Sequence, residues 1–132
     1  MTGKMTGNRR LDTPETTAAD VIYQDVQLRV VRTGPRAVAF HGEIDVSNSR
    51  AVAEALALVR GTSSDAIVAD LGGLTFVDVS GMRVLALPRL KVRDRWLWLC
   101  NIPPNLRRLL VMLGYLDATP TAGDFPGNAA AR

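Results

Sequence analysis

Apolar and polar positions along the middle of the chain fall into blocks whose spacing predicts secondary structure. Val26–Val31 (VQLRVV) and Ala37–Phe40 (AVAF) are short apolar runs separated by Thr33-Gly34-Pro35-Arg36, a Gly-Pro turn signal, and together they predict a hairpin. His41-Gly42-Glu43-Ile44-Asp45 follows, and Ser47 is the expected N-cap of a helix running to about Arg60. Val52, Leu56 and Val59 share one face of that helix, and Gly61 is placed to stop it. Ala66–Leu71 (AIVADL) is nearly all apolar, as a central strand should be. A second helix is predicted from about Gly81 to Val92, with Met82, Leu85 and Leu90 towards the core and Pro88 shortening or kinking it. Trp96–Cys100 (WLWLC) reads as a further strand. Pro103 and Pro104 then open a third helix, with Leu106, Leu109, Leu110 and Leu113 as its stripe and Gly114 as its end.

The order is β-β-α-β-α-β-α. It predicts an α/β fold: a small mixed sheet of four to five strands with about three main helices, parallel where the crossovers are right-handed and antiparallel at the first hairpin. Residues 1–20 and 119–132 lack periodicity and are expected to be flexible tails around one domain at 21–118.

Composition narrows the chemistry. The chain has 132 residues, enough for one domain with a real core. The single Cys100 excludes an internal disulfide and a cysteine-based zinc site, and the single His41 argues against a histidine metal site. No nucleophile–base or metal set can be assembled, and Gly72-Gly73 is too short for a phosphate-binding loop, so no enzyme activity, cofactor or metal is expected. His41 reads as an exposed or structural residue, and Cys100 as a buried, inert thiol. No apolar run approaches a membrane span and the N-terminus has no apolar signal region, so a cytoplasmic protein without direct membrane insertion is expected.

The informative segment runs from Asp70 to Gly81. It leaves the apolar strand, crosses an expected short loop and enters the second helix, where open α/β sheets dock ligands and partners. Ser80 falls at or beside the helix N-terminus. Its plainest role is as an N-cap. A phosphate there would gain backbone donors and would put about −2 charge on the surface. Asp78 is placed either to orient that serine or to cap the helix itself.

Three pieces in register resemble the STAS domain family (sulphate transporter and anti-sigma factor antagonist). His41-Gly42-Glu43-Ile44-Asp45 resembles the family's Gly-Glu-Leu/Ile-Asp. The run Asp70-Leu71, four residues, then Phe76-Val77-Asp78-Val79-Ser80-Gly81-Met82 resembles Asp-Leu-(x)4-Phe-(x)-Asp-Ser-Ser/Thr-Gly-Leu. Leu113 to Leu116 resembles the closing turn. The resemblance implies a non-catalytic switch of the anti-sigma factor antagonist type. Its partner would be an anti-sigma factor that is a GHKL-type serine kinase, its sigma factor would be released, and a phosphatase would reverse the phosphorylation. The family's acceptor position falls on Val79, which has no hydroxyl, so Ser80 is the phosphoacceptor candidate or the protein binds unswitched. The partner-facing set implied is Glu43, Asp45 and Asn48 in the first loop, with Thr75, Phe76, Asp78, Val79, Ser80, Gly81, Met82 and Arg83 in the second. Asp45 has a plainer reading as a helix cap, and Glu43 as a solvated turn residue. A STAS regulatory subunit of a membrane transporter or signalling complex is the alternative, and a monomer or weak dimer is expected.

The net charge of +3 is unevenly spread. Between Met82 and Arg108 stand Arg83, Arg89, Lys91, Arg93, Arg95, Arg107 and Arg108 against Asp94 alone, six net positive charges on an otherwise acidic chain. The block is expected either to be a solvated face or to dock an acidic partner, with Arg83 nearest the serine. With no recognised reader motif and only 5% aromatic residues, nucleic acid is not an expected partner.

Overall fold

The computed structural model describes residues 20–117. The expected tails therefore lie outside the described residues, save Asp20. Five strands form one sheet in chain order: β1 (Val21–Gln24), β2 (Leu28–Gly34), β3 (Ala37–Ile44), β4 (Ile67–Val77) and β5 (Leu97–Cys100). β1–β2 and β2–β3 are antiparallel, and β3–β4 and β4–β5 are parallel. Helices α1 (Ser49–Arg60), α2 (Val79–Ala86) and α3 (Pro104–Met112) complete the expected mixed α/β architecture.

The apolar patterning explains the core. Val30, Val38, Phe40, Ile44, Ile67, Ala69, Leu71, Leu97 and Leu99 point inward from the strands, and Val52, Leu56, Met82, Leu85, Leu106 and Leu110 meet them from the helices. Gly61 ends α1 at φ 61°, as expected. Gly114, at φ 79°, sits after α3. Its N–H reaches the Val111 carbonyl, and the next N–H, of Tyr115, reaches that of Leu110, which closes the helix in a Schellman motif.

Several boundaries differ from the expectation. The strand at Val21–Gln24 was not expected. Val26, read as the start of a strand, is fully exposed in the turn between β1 and β2, because Asp25 draws the backbone N–H groups of Gln27 and Leu28 onto its carboxylate. The expected N-cap Ser47 gives way to Asn48, since the Ser47 hydroxyl is bonded to Asp45 instead. The α2 helix begins at Val79, not Gly81, and stops at Ala86. Leu87 adopts φ 49° just before Pro88, which leaves Leu90 outside the helix and exposed. Of the four leucines in the α3 stripe, Leu106 and Leu110 are buried while Leu109 and Leu113 face outward. Trp96 precedes β5 rather than opening it.

One difference shapes the functional face. The expected loop after Leu71 is strand, because β4 continues to Val77 and β3 continues with it to Ile44. The register shifts opposite Gly72-Gly73 turn both Leu71 and Leu74 inward. Gly73 is required there: a Cβ would lie 2.6 Å from the Phe40 carbonyl oxygen. The extended pair ends in register, Ile44 opposite Val77, so Asp45 and Asp78 leave the sheet side by side.

Candidate functional site

The site is the pair of segments that leave β3 and β4 together. The Asp78 N–H donates to the Ile44 carbonyl at 3.1 Å, which ties the second segment to the end of β3. Asp78 then caps α2: its Oδ1 accepts from the Gly81 N–H at 3.0 Å and from the Ser80 hydroxyl at 2.6 Å. Its Oδ2 accepts from the Val46 N–H at 3.0 Å, so one carboxylate joins both segments. Burial pushes the Asp78 carboxyl up, but the bonds from Ser80, Gly81 and Val46 outweigh it and hold the group below the usual carboxylate range. Both roles weighed for Asp78 are therefore filled. The plain N-cap role weighed for Ser80 is not: Ser80 lies in the first turn, half-buried, with its hydroxyl turned to Asp78.

The first segment is a turn built on Asp45. Its Oδ1 accepts from the Ser47 N–H at 2.9 Å and the Ser47 hydroxyl at 2.5 Å, and these bonds lower its pKa. Its carboxylate thus orders the turn rather than capping α1. Asn48 is the internal brace, with only 1% of its surface exposed. Its Oδ1 accepts from the Asp45 N–H, and its Nδ2 donates to the Glu43 carbonyl and to Asp25 Oδ2. Glu43 is exposed but stands in β3, not in a turn.

Asp25 is the residue that sequence reasoning missed. Besides Asn48 and the two backbone N–H groups, it accepts from the Tyr23 hydroxyl at 2.6 Å. Desolvation opposes ionisation, yet these four donors bring its pKa down to about 2, while Tyr23, bonded to the carboxylate, is raised to about 12. The available signal was the position of Asp25 two and three residues ahead of the N–H groups it accepts, an Asx-turn spacing.

The expected partner-facing residues separate into two groups. Phe76 (52% exposed), Val79 (44%), Thr75, Asp45 and Glu43 reach the surface, and Val46, not anticipated, is 78% exposed in the turn after Asp45. Asn48, Gly81 and Met82 are buried, so these three shape the site from inside and offer a partner no side-chain surface. A Cβ on Gly81 would lie 2.7 Å from Val77 Cγ1 and 2.8 Å from Ile44 Cγ2, so glycine lets α2 press against the strand ends. Thr75 donates to the Gly42 carbonyl at 3.2 Å. A cleft of about 370 Å3 lies beside Phe76, between the end of β4 and the start of α3.

The charge at this end is acidic, from Glu43, Asp45 and Asp78. The basic block is dispersed. Arg95 donates to the Leu90 and Tyr115 carbonyls inside the fold, and Arg83 is exposed on α2 but lines a groove with Arg89. The block therefore does not form one docking face at Ser80. His41 is exposed in the middle of β3. Cys100 is half-buried, with its thiol pKa raised by burial and by Asp70, which keeps it protonated. Among the described residues no group of histidine, cysteine or acidic side chains is placed to hold a metal ion, and no helix is long and apolar enough to cross a membrane.

The STAS domain family model matches residues 26–124, and the chain belongs to that family. Among solved structures, it is similar to an anti-sigma factor antagonist from Mycobacterium paratuberculosis, with a TM-score of 0.59 and 22% identity over 79% of this chain and 92% of that one. It is also similar to the anti-sigma factor antagonist SpoIIAA in its unphosphorylated form, with a TM-score of 0.50 and 20% identity over 67% of this chain and 81% of that one. At these identities the likeness is one of fold. No curated protein matches the chain.

Proposed function

We propose that the chain is an anti-sigma factor antagonist, a binding module rather than an enzyme. In the cytoplasm, as a monomer or weak dimer, it engages an anti-sigma factor of the GHKL-type serine kinase class and so frees a sigma factor. The observation that carries this reading is the single carboxylate, Asp78, that locks the Asp45–Val46 turn to the start of α2. It makes one preorganised face on which Val46, Phe76 and Val79 stand exposed within an acidic surround. Exposed apolar side chains grouped with ordered polar neighbours are what a protein partner buries.

Ser80 is the phosphoacceptor in this reading, and a phosphatase restores it. Phosphate beside Asp78 would break the 2.6 Å bond and add about −2 charge to an already acidic face, which would reject a partner fitted to the bare serine. A second reading, an unswitched STAS regulatory subunit of a membrane transporter or signalling complex, is favoured by that same bond. It turns the only hydroxyl of Val79-Ser80 inward, while the exposed position is a valine.

Transcription reconstituted with a sigma factor and its anti-sigma kinase tests the proposal. Added wild-type chain restores transcription, and Val79→Asp does not. Failure to restore it with any GHKL-type anti-sigma kinase of the host removes the reading. Incubation with the kinase and ATP adds about 80 Da, one phosphate, to wild type but not to Ser80→Ala. Binding without that mass gain selects the unswitched module.

A further inference from the structure

A groove of about 520 Å3 lies away from the strand ends. Ala53 and Leu56 of α1 form one side, Val84 of α2 with Leu87 and Pro88 just after it form the other, and Trp96 joins from the residue before β5. Its size and apolar lining match those of sites for small molecules rather than flat protein interfaces. Two features set its chemistry. Arg83 and Arg89 stand at its edge, both exposed, and among the described residues neither has an acidic partner. The Trp96 ring is in turn backed by Arg60, whose guanidinium carbon lies 4.9 Å from the ring centre.

The backbone at one wall is also unusual. Leu87 holds φ 49°, a conformation that a glycine would adopt without cost and that helix ends usually give to glycine. Leucine at this position keeps an apolar side chain on the groove wall. An apolar trough edged by unpaired guanidinium groups complements one kind of occupant: an amphiphile with an apolar body and a single anionic head.

We infer that the α1–α2 groove is a binding site for a small anionic amphiphile, a fatty-acid-type carboxylate or an alkyl phosphate. The apolar body lies between Ala53, Val84 and Leu87, over a floor backed by the buried Leu56, and the head group meets Arg83 and Arg89. The site is separate from the Asp78 face and does not depend on the function proposed for that face.

Calorimetric titration of the full chain with dodecanoate, dodecyl phosphate and dodecyltrimethylammonium, each below its micelle concentration, tests the inference. The expected result is saturable one-to-one binding of an anionic probe and none of the cation. A carboxylate preference indicates the fatty-acid source, and a phosphate preference the alkyl phosphate. Arg83→Gln with Arg89→Gln lowers the affinity about tenfold through loss of charge-assisted bonds. Ala53→Phe, which fills the groove, abolishes it. Absence of saturable binding by wild type overturns the proposal. So does equal binding of the cationic amphiphile, or an unchanged affinity in the double arginine variant. Those arginines are exposed, so that variant keeps the test decisive even if Ala53→Phe fails to fold.

Discussion

Asp25→Asn isolates the charge that braces the site from below. The wild-type carboxylate accepts from Tyr23, Asn48, Gln27 and Leu28, and its pKa falls from 3.8 to about 2 on folding. At full strength that gap corresponds to ~2.5 kcal/mol. The group is only partly buried, and solvent screening reduces the figure to about 1 kcal/mol. The folded pKa is the lower one, so the unfolded chain binds more protons in acid. The stabilisation is complete above pH ~4 and is lost as the pH falls towards 2. The substituted amide has the shape of a protonated carboxyl, with one acceptor where the carboxylate has two, and it meets Asn48 Nδ2 with a donor. Urea unfolding followed by far-ultraviolet circular dichroism at pH 7, 5, 3 and 2 measures the difference between the two proteins. A gap of about 1 kcal/mol at pH 7 and 5, closing by pH 2, is expected, with a melting point about 4–8 °C lower for the variant at neutral pH. Asp78, whose pKa is also lowered, weakens both proteins in acid and cancels from the difference; Asp45 is lowered too, and of its causes only the smallest, the charge of Asp25, changes in the variant. A gap that stays constant from pH 7 to pH 2 would refute the assignment of a charged hub at Asp25.

Three further outcomes follow from the same geometry. Asp78→Ala removes the α2 cap and the Val46 tether, costs about 1–2 kcal/mol, and speeds amide hydrogen exchange at both Val46 and Gly81 in a nuclear magnetic resonance measurement. Gly81→Ala would gain about 1 kcal/mol in an exposed helix. Here the new Cβ meets Val77 and Ile44, so a net loss of about 1–3 kcal/mol is expected in thermal unfolding. Val79→Ser moves a hydroxyl to the exposed first helical position and changes stability by under about 0.5 kcal/mol. With the kinase proposed above it gains a phosphate at residue 79, located by fragmentation of the phosphopeptide.

The mixed sheet and the three helices were legible in the chain because each rests on a local period. Val52, Leu56 and Val59 mark one helix face, Ile67–Leu71 a covered strand, and Gly61 and Gly114 the stops. The segment from Asp70 to Gly81 was legible too, as an interruption between an apolar strand and an apolar helix. What misled was local chemistry with two outlets. Ser47 had the right type for a cap, but Asp45 took its hydroxyl. Leu109 and Leu113 kept a helical period although the sheet covers only one side of α3. Gly72-Gly73 read as a loop because glycine is permissive, whereas the fold uses the missing Cβ of Gly73 to bring β3 close and carry β4 onward.

The chain by itself determined the order of elements from β2 onward, the family motifs and the absence of a hydroxyl at Val79. Only the tertiary structure decided which of the motif residues reach the surface. Asn48 and Met82 stand beside Val79 in the implied partner-facing set, yet they are buried while Val79 is exposed. That division depends on register between distant segments: Ile44 beside Val77, the Asp78 carboxylate on the Val46 N–H 32 residues away, and Asp25 on Asn48 across 23. The grouping of Arg83 and Arg89 over an apolar groove is of the same kind. Hydrophobic periodicity reports what each segment buries, but long-range hydrogen bonds and packing determine what each segment buries it against.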